Sequence, residues 1–280
     1  MKGEWNMISA SYRLRFGQFD CLIVKDGSEG TPALSSFMEP VPSEIEGRDI
    51  YMLGGLMFIT GNQSRILLDA GNAPQSPGRT HSASLAFQEE GLAPASIDTV
   101  LITHGDPDHI GGLLTMGGEL VYPNARYVLH QDLWQSWHTN PDQGLYFADQ
   151  AAFVARLASL LAGRIETFQA EMDVRPGIRA IPAPGHRCGH TVYLFNSEGE
   201  RLLHIADAAF DPVFLEYSGY PNVRDAEPEP ARVTRQVLAE RAIAENAMIA
   251  GSHFRLPGVG RLSKVTEGRY VWAPVFSGVA

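Results

Sequence analysis

A short apolar strand that runs straight into four metal-binding side chains leaves few folds open. Residues 99–103 read TVLIT, a β-branched run suited to a sheet buried on both faces. His104-Gly105-Asp106-Pro107-Asp108-His109 follows at once, then Ile-Gly-Gly. Gly105 and Pro107 predict a turn here rather than a helix. Such a turn can aim alternate side chains into one pocket, and imidazole together with carboxylate suits a divalent transition metal. Standing alone, the run also reads as a solvated acidic turn with two surface histidines.

The rest of the chain argues for the pocket. Pro184-Gly185-His186-Arg187-Cys188-Gly189-His190-Thr191 lies between two predicted strands, Asp207 follows the strand LLHIA, and His253 follows AMIAGS. Each cluster thus falls at the end of a strand, where α/β and sandwich folds commonly carry sites. If Asp106, Asp108 and Asp207 converge, three close carboxylates cannot all stay ionised without cations or raised pKa values. Two dications would outweigh them by one charge, enough to hold a hydroxide.

Strands are expected over residues 12–16, 19–25, 56–60, 65–69, 99–103, 126–129, 178–182, 191–195, 201–206 and 247–250. Helical patterns occupy 82–90, 150–161 and 231–246. Residues 26–48, rich in Gly, Ser, Pro and Glu, read as a long surface loop. Two runs of strands with helices between them predict a mixed α/β (α+β) sandwich, two packed sheets with helices outside.

These residues resemble the metallo-β-lactamase superfamily. Its usual signature is His-x-His-x-Asp-His on a loop after a strand, then a later Gly-His, an Asp after another strand, and a last His near the C-terminus. The resemblance runs in order from Leu68-Asp69-Ala70-Gly71 to His253. It implies a four-layer αββα sandwich, a single domain over residues 1–280, with metals at one edge. By this resemblance His104, Asp106 and His190 hold one metal, Asp108, His109 and His253 hold a second, and Asp207 bridges them. Asp69 and His186 then stand behind the ligands and orient them. The family has histidine where Asp106 stands. A carboxylate is a harder ligand and adds negative charge, so zinc leads for the two divalent ions, with iron or manganese as alternatives.

Two weaker likenesses concern the substrate. His253-Phe254-Arg255-Leu256-Pro257-Gly258-Val259-Gly260 and the opening FGQFDCLIVKDG look like the lactonase and organophosphate-hydrolase-like branch. Some lactonases there carry a tyrosine three residues after the bridging Asp. That position is Phe210 here, which has no donor, and Tyr217 is the nearby phenol that could serve. The aromatic stretch 134–147, with Trp134 and Trp137, is the other candidate for a pocket wall. His204 reads as a core histidine, His81, His130 and His138 as surface or rim residues, and Cys188 as a buried free thiol.

The expected function is hydrolysis of an ester or lactone carbonyl of a small molecule by a metal-bridging hydroxide, with Asp108 positioning it and moving a proton. The rivals are an iron-dependent oxidoreductase of the same fold and a non-catalytic binding member. Composition narrows the partners. With 22 Lys+Arg against 32 Asp+Glu the net charge is −10, which disfavours nucleic acid and anionic membranes. Two cysteines make no disulfide framework, the first residues lack a secretory pattern, and no apolar run spans a bilayer. A cytoplasmic protein is expected, and the branch resemblance suggests a homodimer.

Overall fold

Alternation along the strands builds the layers. In β2 (Phe19–Asp26), Cys21 and Ile23 join one buried cluster while Leu22 and Val24 join another. In β3 (Gly54–Gly61), Met57 and Ile59 follow the first pair, and Leu56 and Phe58 the second. Period-two alternation sends neighbours to opposite faces, so a strand apolar at every position must be covered on both sides. The computed structural model, which describes residues 11–26, 31–61, 63–73, 82–139 and 150–275, shows that arrangement.

The first sheet contains, in spatial order, β1 (Ser11–Phe16), β2, β3, β4 (Ser64–Leu68), β5 (Thr99–Leu101), β6 (Arg126–His130) and β7 (Ile165–Phe168). The second contains β8 (Met172–Arg175), β9 (Ile178–Pro182), β10 (Thr191–Ser197), β11 (Glu200–His204), β12 (Met248–Ala250), β13 (Val259–Thr266) and β14 (Arg269–Pro274), also in chain order across the sheet. Both are mixed: β4 to β7 run parallel, as do β11 and β12. Phe16, Phe19, Ile59, Leu101, Tyr193, Phe195 and Met248 belong to the cluster between the sheets. The helices α1 (Ser82–Glu89), α3 (Gln131–Thr139) and α4 (Gln150–Leu161) cover the first sheet's outer face through Phe87, Leu133, Trp137, Val154 and Leu157. The helices α5 (Pro212–Glu216) and α6 (Pro228–Ala244) cover the second through Val213, Phe214, Leu238 and Ala239. The result is the four-layer αββα sandwich.

The structure departs from the sequence reading in five places, the first being the helices α3 and α5, for which no helical pattern was read. The strands β7, β8, β13 and β14 were not anticipated. IETF and MDVR are half-exposed and charged, and the β13–β14 hairpin turns outward at Val265 and Val271, so no apolar run marks them. The turn expected at Pro107 is one helical turn, α2 (Pro107–Ile110). Proline at its first position has the helical φ built in and lacks an N–H that would have no partner there. The stretch read as a surface loop sends Leu34, Phe37 and Met38 into the core beside α5; its residues 27–30 lie outside the described ones. Cys188 is exposed rather than buried. It sits between Arg187 and Gly189 on a loop whose backbone, not whose thiol, packs inward.

Candidate metal centre

The ligand-rich segments end four strands at one edge of the sandwich. His104 follows β5, the Gly185–Gly189 loop joins β9 to β10, Asp207 follows β11 and His253 follows β12. A hydrogen bond from Thr191 N to Thr103 O (2.9 Å) ties the sheets together there. The loop must pass very close to two helices. A Cβ on Gly185 would sit 2.1 Å from Ala231 N, and one on Gly189 would sit 2.6 Å from Leu133 N. Both have positive φ (120° and 66°), so only glycine fits at either position.

Two groups of three side chains converge there, linked by a third made of His104, His109 and Asp207. His104, Asp106 and His186 form one, and Asp108, His109 and His253 the other. Asp106 Oδ2 lies 3.6 Å from His104 Nε2 and 3.7 Å from His186 Nε2. Asp108 Oδ2 lies 3.9 Å from His109 Nε2 and 3.7 Å from His253 Nε2. Asp207 reaches both groups: Oδ1 is 3.3 Å from His109 Nε2, while Oδ2 is 3.6 Å from His186 Nε2 and 2.9 Å from His253 Nε2. Tetrahedral bonds of about 2.1 Å place ligand atoms about 3.4 Å apart, the spacing found here.

The nitrogen atoms are prepared for a cation. His109 Nδ1 is 2.7 Å from Asp69 Oδ2, His186 Nδ1 is 3.0 Å from Asp225 Oδ1, and His253 Nδ1 is 3.0 Å from Leu53 O. His104 Nδ1 is 2.9 Å from Thr103 Oγ1, whose own hydrogen goes to Asp69 Oδ2. Oxygen acceptors at Nδ1 put the proton there and turn the Nε2 lone pair inward. The Nε2 atoms of His104, His109 and His186, with Asp207 Oδ1, are buried without a hydrogen-bond partner. Buried polar atoms are almost always paired, so four convergent orphans fit a site built for cations.

Electrostatics agrees. Burial works against charge on Asp106, but His104 and His186 outweigh it and hold the carboxyl well below the usual range. Asp207 behaves likewise between His253 and His109. Burial pushes His109 down, yet Asp207, Asp69 and Asp108 together carry it well above the ordinary value. Burial, reinforced by neighbouring imidazoles, lowers His104 and lowers His190 further. Asp69 (φ 56°) and Ala206 (φ 47°) hold left-handed backbone conformations beside the site, strain of the kind that gathers at functional positions.

The two Gly-His pairs divide differently from the sequence expectation. The structure brings His186, not His190, into the group with His104 and Asp106. His190 is committed at both nitrogens: Nδ1 donates to Ala183 O (3.0 Å) and Nε2 accepts from the Asp207 backbone N–H (3.3 Å). It therefore holds Asp207's backbone in place. Phe210 packs edge-on against the His186 and His253 rings, with centroids 5.4 and 5.1 Å away. Tyr217 lies elsewhere, its ring under the Arg269 guanidinium and beside Tyr220. Trp137 lines a cavity of about 680 Å³ beside Asp106, while Trp134 is half-buried against Trp137 and His138. Residues 140–147 of that aromatic stretch, and His81, lie outside the described residues. His204 is buried on β11, its Nδ1 accepting from Ala206 N (3.3 Å).

Sequence reasoning missed Arg187, Asp225, Arg235 and Lys25. Arg187 Nε is 3.0 Å from both oxygens of Asp106. Asp225 joins His186 to the buried Arg235 guanidinium at 2.7 Å. Lys25 Nζ donates to Ser252 O (2.8 Å), directly before His253. Asp225 and Arg235 stand in no motif; Arg187 lies beside His186 and Lys25 within FGQFDCLIVKDG, but neither pattern marks what those two side chains do.

Lys25 gives a pH prediction. Burial brings its ammonium down from 10.5 to about 7. Between those values the unfolded chain keeps the proton and the folded chain does not, so stability rises with pH across that window and is flat below it. Lys25→Met removes this contribution. Urea unfolding from pH 6 to 10 should show a shallower rise in the variant than in the parent; equal slopes would refute the assignment.

Comparison with known proteins agrees with this architecture. A family model described as the metallo-beta-lactamase superfamily matches residues 56–253. Beta-lactamase-like protein 2 homolog of Drosophila melanogaster is 24% identical over 196 residues, 68% of this chain and 59% of that protein. Anti-Pycsar protein Apyc1 of Bacillus phage 010DV004 is 24% identical over 176 residues, 56% of this chain and 63% of that one. The chain thus spans less than two thirds of the length of these curated relatives. Among solved structures, AidC, a dizinc quorum-quenching lactonase in complex with a product, superposes with a TM-score of 0.83 at 20% identity, covering 97% of this chain and 99% of that chain. The hydrolase AbOPH superposes at 0.82 with 22% identity and the same coverage. At these identities the likeness is one of fold.

Proposed function

The chain belongs to the metallo-β-lactamase superfamily, and from that premise we propose that it is a binuclear metal-dependent hydrolase acting on an ester or lactone carbonyl of a small molecule. One observation carries the reading. Two His/Asp groups share Asp207, and the inward nitrogens of His104, His109 and His186 have no hydrogen-bond partner. His104, Asp106 and His186 would hold one divalent ion, Asp108, His109 and His253 the other, and Asp207 both. Zinc is the first choice, supported by the dizinc centre named for AidC; the Asp106 carboxylate keeps iron and manganese in the test. Bound cations there supply Lewis acidity and acidify water.

The chain's own residues do the rest. Asp108 is the most open of the carboxylates, 22% exposed in its side chain against 3% for Asp207. It is the group placed to orient water and take a proton. Asp69, Asp225, Thr103 and Leu53 O hold the imidazoles in one tautomer. Phe210 offers an apolar edge and no hydrogen-bond donor. The cavity beside Asp106, about 680 Å³ and lined by Leu133, Trp137, Pro184 and Cys188 among others, has the size of a small-molecule pocket.

The proposal keeps a single domain, a cytoplasmic setting, a homodimer, and no nucleic-acid or membrane partner. The acidic balance supports the last point, and among the described residues no helix is long and apolar enough to cross a membrane. The test is elemental analysis of protein purified without added metal, followed by an ester and lactone screen. About two zinc ions per chain with chelator-sensitive hydrolysis is the expected result. Iron with oxygen- or thiol-dependent turnover, or two bound ions with no hydrolysis of any ester or lactone, would overturn it.

A further inference from the structure

Arg187 is held as a fixed cation against the metal-binding group. Its Nε lies 3.0 Å from each oxygen of Asp106, and its Nη1 donates to His186 O (2.8 Å) and Arg224 O (2.9 Å). Both side chains of the ion pair are 9% exposed. The two carbonyls fix the guanidinium independently of Asp106. Yet Asp106 Oδ2 also faces His104 Nε2 and His186 Nε2, so one carboxylate serves the guanidinium and the ligand group together.

The consequence is an asymmetry of charge. His104 and His186 are neutral as ligands, and Asp106 is cancelled by Arg187. Behind His186, Asp225 is cancelled by Arg235. Lys25 stands behind the Asp108 group, its Nζ on Ser252 O beside His253, but among the described residues no Lys or Arg pairs directly with Asp108 or with Asp69, the carboxylate behind His109. Asp207 is common to both. We propose that Arg187 is a positioning residue that turns Asp106 into a net-neutral ligand and makes the His104–Asp106–His186 position the weaker of two cation positions, filled second. This inference rests on the binuclear reading above.

The test is titration of chelator-stripped protein with zinc against a chromophoric competitor, with metal counted by elemental analysis and folding checked by circular dichroism. The parent should bind two ions in separate steps. In Arg187→Met the weaker step should tighten by about tenfold or more, because a unit charge within several ångströms of a dication is removed. The stronger step should stay unchanged. Asp106→His provides an independent arm. A softer neutral ligand would ordinarily favour zinc, but here it removes the carboxylate that offsets Arg187 at this position and leaves the guanidinium charge facing the dication, so the weaker step should weaken by about tenfold or be lost. Adding Arg187→Met to Asp106→His should restore it.

A merely structural Arg187 would weaken both steps and tighten neither. If Arg187→Met leaves the weaker step unchanged or weaker, or Asp106→His alone tightens it, the inference fails while the binuclear reading stands. If the parent binds no cation, the binuclear reading itself fails.

Discussion

Asp207→Ala is expected to lower kcat/KM for any hydrolysed substrate by roughly three orders of magnitude or more, since the cations it holds contribute several kcal/mol to the transition state. Asp207 is the carboxylate within reach of both groups, 3.3 Å from His109 and 2.9 Å from His253 on one side and 3.6 Å from His186 on the other. Bound metal should fall from about two ions per chain to one or fewer. Asp207→Asn separates charge from shape: it keeps the size and a carbonyl oxygen, so it should retain more metal than alanine but still lose most turnover. The backbone of residue 207 stays anchored by His190 in both variants, so the fold should survive. A variant that kept two ions and full turnover would remove the bridging role.

Asp225→Ala should produce the largest loss of stability, about 3–5 kcal/mol, because it leaves a buried guanidinium without its counter-ion. Asp225 and Arg235 are 0% exposed in their side chains and 2.7 Å apart. Once the carboxylate is gone, Arg235 keeps, among the described residues, Ala208 O (3.3 Å) and Tyr220 O (3.2 Å), and its Nε has no hydrogen-bond partner there. A fall in Tm of roughly 10 °C is expected for a chain of this size. The same variant removes the acceptor from His186 Nδ1, so metal affinity should drop about 10–100-fold at that position. The double variant Asp225→Leu with Arg235→Met distinguishes the two effects. It should recover most of the stability, since apolar replacement of a buried ion pair is often neutral or better. It should not recover the metal affinity, because His186 still lacks its anchor. Recovery of both together would show that Asp225 acts on the centre only through stability.

What could be read along the chain was whatever depends on neighbours in sequence. The apolar strand before His104 is legible because a strand covered on both faces has no polar positions to hide. The ten anticipated strands and three helices match observed elements to within a few residues at their ends. The strands that escaped are those at the sheet edges or turned toward solvent, such as Ile165–Phe168 and Met172–Arg175. Their side chains carry little burial and so little pattern. The candidate residues were legible as chemical types: histidines and aspartates at strand ends, in an order that resembles one superfamily.

Which of those residues face one another was settled only in three dimensions. Gly185-His186 and Gly189-His190 are the same dipeptide four residues apart, and nothing local separates them. The separation comes from partners distant in the chain. Asp225, 39 residues beyond His186, accepts the hydrogen bond from its Nδ1 and turns Nε2 toward Asp106. The Asp207 backbone N–H, 17 residues beyond His190, occupies the nitrogen that would otherwise face the centre. The Asp106–Arg187 pair spans 81 residues and the His253 contact with Leu53 spans 200. The sequence by itself determined the layers and the ligand chemistry, because periodicity and side-chain type are local properties. The tertiary structure alone decided which lone pairs remain free to bind, because that depends on the hydrogen-bond acceptor or donor that each ring nitrogen meets across the fold.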